Sequence, residues 1–340
     1  MRVLVIGATG YIGSAVVERL IAGGHEVVAY VRPAADGARR VPAAAGERYG
    51  DLSDPAALRA ALAPDARQGV GRGVDSDAGQ GIEPGAGQGV EAGAGQGVEA
   101  GAGQGVEAGA GQGVEAGAGA GFDVVVHAGQ LTGDRETDLA VVGVPSAAGA
   151  RMVYLSGVWV LGAIDGGDED SPARPIPLVA YRDEVERVVL GGGGSVVRPG
   201  VVHGRGSGIP ALLRGLAAER GTGVYVSAGG TVPTWTFVHV DDLADLVAAV
   251  VERGGPAVYH GVSEEAVPLT DVAEAAARAA GVKEVAEPWP LEEAAKALGA
   301  EFAEALALGQ RIGAARTRRE LGWAPSRPGV VAELTEGSYA

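Results

Sequence analysis

No cysteine occurs among the 340 residues, which excludes disulfides, cysteine nucleophiles, thiolate-bound zinc and iron–sulfur clusters. Bases are scarce: 27 against 43 acids, a formal charge of -16 at pH 7. A nucleic-acid binder presents a basic face, so no nucleic-acid partner is expected. Only two of the bases are lysine, and nothing before Lys283 can use a lysine amine. The histidines are scattered without paired spacing, so no metal site is expected. No apolar run approaches the roughly 18 residues of a membrane span, and the opening MRVLVIGATG meets glycine before forming a signal-peptide core. The expectation is a cytoplasmic protein with no membrane partner. Hydrolase elbows of the GxSxG type and GxxxxGK[ST] phosphate loops are also missing. Scarce lysine beside abundant alanine, glycine and arginine suggests a bacterial, high-GC source.

What is present is 46% apolar, enough for a large core. Glycine crowds into residues 68–121, where Gln80 to Gly119 repeats octads of the type QGVEAGAG. One valine per octad offers almost no apolar face, while ordering costs about 1–2 kcal/mol per residue. This segment reads as a disordered low-complexity insertion. The rest divides into two parts, residues 1–200, which contain the insertion, and residues 201–340.

Arg2 to Ile6 reads as a buried parallel strand, GATGYIG (Gly7 to Gly13) as a glycine turn, and SAVVERLIAGG as a helix ended by Gly23 and Gly24. Glu26 to Val31 follows as a second strand. In this βαβ unit Gly7, Gly10 and Gly13 let the backbone approach a pyrophosphate, which the N–H groups of the helix start then hold. The acid that would bond the ribose 2′-hydroxyl of NAD is missing at the end of the second strand. Arg32 stands there instead and suits a 2′-phosphate, which favours NADP over NAD. Further strands are expected before Gly50, at Phe122 to His127, at Arg151 to Ser156 and at Ser195 to Arg198. Asp54-Pro55 reads as a helix start. Such alternation means a doubly wound parallel α/β sheet, so residues 1–200 read as a dinucleotide-binding Rossmann domain and 201–340 as mainly a substrate-binding lobe. Asp138 to Ala150 should be a crossover helix, broken or shortened by Gly143 and Pro145.

GATGYIG, GDLSDPAAL, VVVHAG, VYLSGVWVLG, VVRPGVVHGRG and FVHVDDLADLV occur in one order. The series resembles the extended and atypical branches of the short-chain dehydrogenase/reductase superfamily, and more narrowly an NAD(P)-dependent epimerase/dehydratase family protein. The resemblance implies that Thr9, Tyr11 and Ile12 line the pyrophosphate turn and that Asp51 and Leu52 hold the adenine. It places His127, Ala128 and Gly129 beside the nicotinamide ribose and Pro199, Val201 and Val202 over the nicotinamide amide. It also implies a homodimer. Asp241 and Asp242 read as structural, an acid there capping the following helix.

The resemblance further implies a serine and a Tyr-x-x-x-Lys pair, whose lysine lowers the tyrosine pKa. Tyr181 takes the tyrosine position, but Val185 stands where lysine is expected. Arg182 lies one residue along a helix, turned away by about 100°, and looks a poor substitute. Ser156 is the nearest serine, one residue before the usual position. With an unperturbed pKa of about 10, Tyr181 could donate a proton but would be a weak base, so reduction is the easier direction. Tyr181 could equally wall the pocket or simply pack. His127 and His203 are alternative acid–base groups.

Helices are expected at Pro210 to Glu219, Asp241 to Glu252, Thr270 to Ala280 and Leu291 to Leu298, with strands at Val224 to Val226 and Trp235 to Val240. Trp159, Tyr225 and Trp235 are candidate walls of the substrate pocket, and Arg205 and Arg214 candidate anion receivers. The reading is an NAD(P)-dependent oxidoreductase of the epimerase/dehydratase type, acting on a carbonyl or alcohol of a small molecule. The alternatives are a non-redox isomerase or lyase with a resident cofactor, and a dinucleotide-binding sensor or scaffold without turnover.

Overall fold

The computed structural model describes residues 1–32, 41, 45–64 and 121–340. All but Gly121 of the low-complexity insertion therefore lies outside the described residues. Met1–Pro64 and the chain after the insertion form one compact unit.

The branched run RVLVI is strand β1 (Arg2–Ile6), buried from Val3 onward. Helix α1 (Tyr11–Ala22) turns Val16, Val17 and Leu20 inward and gives way to Gly23 and Gly24. Strands β2 (Glu26–Val31) and β3 (Gly46–Tyr49) extend the sheet to one edge. Helix α2 (Pro55–Leu62) starts at Asp54, whose carboxylate accepts from Ala56 N, with proline at the first helical position.

After the insertion the chain returns to the other side of β1. Strand β4 (Val124–His127) pairs with β1, and β5 (Arg151–Leu155) pairs with β4. The strands Ser195–Pro199 and Val258–Gly261 complete a seven-stranded sheet. Its order is Val258–Gly261, Ser195–Pro199, β5, β4, β1, β2, β3, and every pairing is parallel. This is the doubly wound α/β sheet expected. Its direction of winding reverses between β1 and β4, where such sheets open a crevice at their carboxyl ends.

Two expectations need correction. Helix α3 (Arg135–Ala147) runs unbroken through Gly143 and Pro145. Pro145 lies in the last turn, where it removes one hydrogen bond to Val141 and can still be buried with Val141, Val142 and Val144. Asp134 caps the helix by accepting from Thr137 N. The boundary at residue 200 also does not separate two chain segments. Val258–Gly261 lies in the large sheet, and the helix Val240–Arg253 packs on α1.

The smaller lobe holds the strands Val201–His203, Thr234–His239 and Glu264–Pro268 as one sheet, and Thr222–Ser227 with Lys283–Pro290 as another. Its core gathers Leu213, Trp235, Phe237, Val272 and Trp289. The expected helices appear as Gly208–Arg220, Val240–Arg253, Leu269–Ala279 and Leu291–Leu298. The third is capped at neither end by a side chain; the second is capped by His239, whose Nδ1 accepts from Asp241 N. Asp242 instead accepts from Ser326 N and Arg327 N, and Asp241 pairs with Arg205. The acids are structural, but neither is the cap.

Candidate active site

At the reversal between β1 and β4 a cleft of about 600 Å³ opens around the glycine turn. Gly7, Thr9, Gly10, Tyr11, Ile12, Arg32, Asp51, Leu52, Ala128 and Gly129 all line it, together with Tyr30 and Gln130 to Thr132. The turn is built for close backbone contact. Gly7 has φ 79°, and a Cβ there would meet Gly129 N at 2.5 Å. Gly13 lies behind the lining, where a Cβ would meet Gly7 O at 2.0 Å. Gly10 precedes α1 and offers no side-chain cap, so the first N–H groups of the helix are left for a ligand. A helix start without a cap, approached by backbone alone, suits a pyrophosphate.

Arg32 and Asp51 share the far end of the cleft. Hydrogen bonds from Ser53 hold the Asp51 carboxyl below its ordinary range, and the charge of Arg32 adds to this. Tyr30 donates to Asp51 O, and its phenol is raised by burial and by Asp51. Tyr11 donates to Gly204 O at 2.8 Å, tying the turn to the loop after Val201–His203.

Gln130 and Leu131 are shared with a second hollow of about 210 Å³, walled by Gly133, Pro177, Leu178, Val179, Ala180, Tyr181 and Arg182. Tyr181 precedes helix α4 (Arg182–Gly191) as its N-cap residue, with φ -100° and ψ 13°. Its hydroxyl donates to Asp138 Oδ2 at 2.6 Å. The same buried carboxylate accepts from Thr132 N, Thr132 Oγ1 and Gly133 N. Burial first, and Asp138 second, push the Tyr181 phenol up to about 12. Val185 is fully buried on α4 and packs into the core.

Ser156 follows β5 and is 7% exposed. Its N–H donates to Val197 O, its carbonyl accepts from Arg182 Nη1 at 3.2 Å, and its hydroxyl has no partner. His127 is 1% exposed, stacks edge-on against Tyr154 and leaves Nδ1 without a partner. Burial drives its pKa down to about 4, so it is a neutral imidazole. His203 is also fully buried, with neither ring nitrogen bonded, and titrates near 4 for the same reason.

The structure thus brings together the turn, Arg32, Asp51, Leu52, Ala128 and Gly129. His127 and Ser156 sit beneath the site without lining either hollow. Pro199, Val201 and Val202 line neither hollow: Pro199 ends a sheet strand, and Val201 and Val202 pair with Phe237 and Val238. Trp235 and Tyr225 are core residues of the lobe. Arg205 pairs with Glu18 and Asp241, so it does not wait for an anion, and Arg214 donates to Ala279 O and lines neither hollow. Asp138 and Arg182 are the additions. The 100° argument against Arg182 fails because Tyr181 has not entered the helix. Asp138 entered the sequence reading only as the start of the crossover helix; the signal was the Thr132-Gly133-Asp134 turn ahead of it, with donors to satisfy.

The strand order and the uncapped glycine turn define a dinucleotide-binding α/β protein. Residues 3–70 match the model of the NAD dependent epimerase/dehydratase family. The uncharacterized protein YLL056C of Saccharomyces cerevisiae is 26% identical over 359 residues, covering 98% of each chain. The 3-diazoavenalumate denitrifying reductase of a Streptomyces species is 29% identical over 200 residues, 54% of this chain and 63% of that protein. The human epimerase family protein SDR39U1 (isoform 2), solved with NADPH, has the same fold with a TM-score of 0.65. It is 20% identical, over 99% of both chains. Among the described residues no helix is long and apolar enough to cross a membrane, and no cluster could hold a metal ion.

Proposed function

We propose that the protein is an NADP(H)-dependent oxidoreductase that reduces a carbonyl group of a small molecule. The observation that carries this reading is that the cleft around the glycine turn and the smaller hollow share Gln130 and Leu131 as wall. Gly7, Gly10 and the start of α1 would hold the pyrophosphate, Asp51 and Leu52 the adenine end, and Ala128 to Thr132 the nicotinamide end. Arg32, beside Asp51 with no 2′-hydroxyl acceptor in the usual place, supports the phosphorylated cofactor. When bound, the cofactor supplies hydride to the carbonyl carbon.

Leu131, Leu178 and Val179 would seat the substrate. The exposed rim at Gln130, Gly133 and Pro177 admits water, from which the reduced oxygen takes its proton. Tyr181, raised to about 12, stays a neutral phenol across the working range and is no base for alcohol oxidation. Reduction is therefore the favoured direction, in keeping with the name of the Streptomyces relative. One observation favours a second reading, a dinucleotide sensor without turnover: the Tyr181 hydroxyl is engaged by Asp138, and Val185 stands where a lysine would activate it.

Calorimetric titration with NADP⁺, NADPH, NAD⁺ and NADH, followed by NADPH consumption on a panel of small aldehydes and ketones, tests both. The expected result is micromolar NADP(H) binding, at least tenfold weaker NAD(H) binding, and loss of that preference in Arg32→Ala. No binding by folded protein rejects the proposal. Tight binding without consumption across the panel supports the sensor.

A further inference from the structure

Resting on that reading, we propose that Arg182 is a substrate-anchoring residue and that the substrate is a small carboxylate with an apolar body. Arg182 is the first residue of α4, at the helix end where the backbone dipole disfavours a cation. Its immediate neighbours there, Asp183 and Glu184, are the acids such a position favours. They pair with Arg187 and Arg135, not with Arg182. Among the described residues no carboxylate lies within ion-pair distance of the Arg182 guanidinium. Its one hydrogen bond goes to Ser156 O, and its buried Nε has no partner.

A cation placed against the helix dipole, half-buried and without a counter-ion, breaks a local rule with no structural gain. Arg198 is closed on Glu186 by three hydrogen bonds, and half-buried Arg151 donates to three carbonyls at the end of the helix Val240–Arg253, where the dipole favours a cation. Around Arg182, in contrast, two further polar groups lack partners, Ser156 Oγ and His127 Nδ1, each more than nine-tenths buried. The positive charge is felt at Tyr181, Tyr154 and His127, so it faces the ends of β4 and β5.

The hollow that Arg182 closes sets the rest of the substrate. Leu131, Leu178 and Val179 give it one apolar side, Gln130, Tyr181 and Arg182 give it a polar one, and about 210 Å³ is below the usual range for ligand cavities. An apolar body with one anionic end matches these walls. A planar carboxylate matches the guanidinium fork, which donates in parallel to two oxygens. Arg182 cannot give up a proton near neutrality, so it anchors and does not serve as an acid.

The test titrates NADP⁺-saturated protein with benzoate, phenylacetate and cinnamate, and with the matching amides, in wild type, Arg182→Gln and Arg182→Lys. Far-ultraviolet circular dichroism checks that each variant is folded. The expected result is that the acids bind at least tenfold more tightly than their amides. Arg182→Gln abolishes that preference, Arg182→Lys keeps part of it, and NADP⁺ affinity stays within about twofold in both. Equal binding of acids and amides, or no binding of any of the six, overturns the proposal while NADP⁺ binding still stands. A tenfold loss of NADP⁺ affinity in Arg182→Gln with acid binding intact also overturns it, assigning the cation to the cofactor. Arg182-dependent binding of acids to protein that takes no dinucleotide keeps the anchor and rejects the oxidoreductase.

Discussion

The Tyr181 hydroxyl donates to Asp138 Oδ2 at 2.6 Å, and that carboxylate closes a ring of four donors spanning the turn before α3 and the start of α4. An acid partner does the opposite of the lysine that usually accompanies such a tyrosine: it stabilises the phenol and opposes the phenolate. Tyr181→Phe is therefore expected to leave kcat within about tenfold of wild type and to cost about 1 kcal/mol of stability. Asp138→Ala strands four donors at a buried site and should cost about 3 kcal/mol or more. Steady-state kinetics with urea unfolding separates the roles. A hundredfold fall in kcat for Tyr181→Phe at unchanged stability would instead make it the proton donor.

The glycine turn allows a sharper contrast. A methyl at Gly13 would lie 2.0 Å from Gly7 O and 2.7 Å from Gly7 C, both backbone atoms that cannot swing away. Gly13→Ala must push α1 off the turn, with an expected loss of about 3 kcal/mol and of dinucleotide binding. Gly215 sits in the interior of the helix Gly208–Arg220 with nothing within 4 Å of its would-be Cβ. Gly215→Ala should stabilise by about 1 kcal/mol and leave binding unchanged. Thermal unfolding and calorimetry of the two variants check both directions.

How far the sequence was legible follows from which forces were local. Strands β1 and β2 matched their expected limits residue for residue, because runs such as RVLVI and EVVAYV carry their own burial pattern. The helix Leu291–Leu298 did likewise. Misreadings came where a tertiary partner decided. Pro145 looked like a break, but in a last turn packed among valines it costs little. Arg205 looked available until Glu18 and Asp241 were brought to it from distant helices. Arg182 was discounted by a helical angle that does not apply, since Tyr181 is the cap. The glycine-turn end of the candidate site was legible as a turn because its residues are contiguous in sequence. The end at the smaller hollow was not, because Asp138, Ser156 and Arg182 are brought near one another only by the packing of α3, β5 and α4.

Beneath that substrate end, Arg198 and Glu186 form an ion pair with side chains only 6% and 3% exposed. Removing one partner leaves an uncompensated buried charge, so Glu186→Gln should cost about 3–5 kcal/mol. Replacing both with Met should recover much of that loss, because burying the pair carried a desolvation penalty that apolar side chains avoid. Urea unfolding of the single and double variants measures the difference. A single variant as stable as wild type would mean that water already reaches the pair.

Two of the buried histidines, His127 and His203, shape the acid limb of stability, together with His260, whose imidazole pKa is also lowered by burial. His127 and His203 titrate near 4 in the folded protein, below the ordinary value of about 6.5, because burial penalises the imidazolium. For His203 the neighbouring His239 pushes the same way and Glu333 opposes, without overcoming burial. Between those two values the unfolded chain binds protons that the folded chain refuses, so stability falls as pH drops from about 6.5 to about 4. Each histidine contributes up to about 3 kcal/mol to that fall and nothing above neutrality. His203 lies edge-on to Phe237 and His239 with neither ring nitrogen bonded, so a phenyl ring can take its place at little cost. His203→Phe should hold stability at pH 7 within about 1 kcal/mol and reduce the loss between pH 6.5 and 4 by up to about 3 kcal/mol. Urea midpoints across that interval measure it. An unchanged pH slope in the variant would show that His203 is already protonated in the folded state and place the acid sensitivity elsewhere.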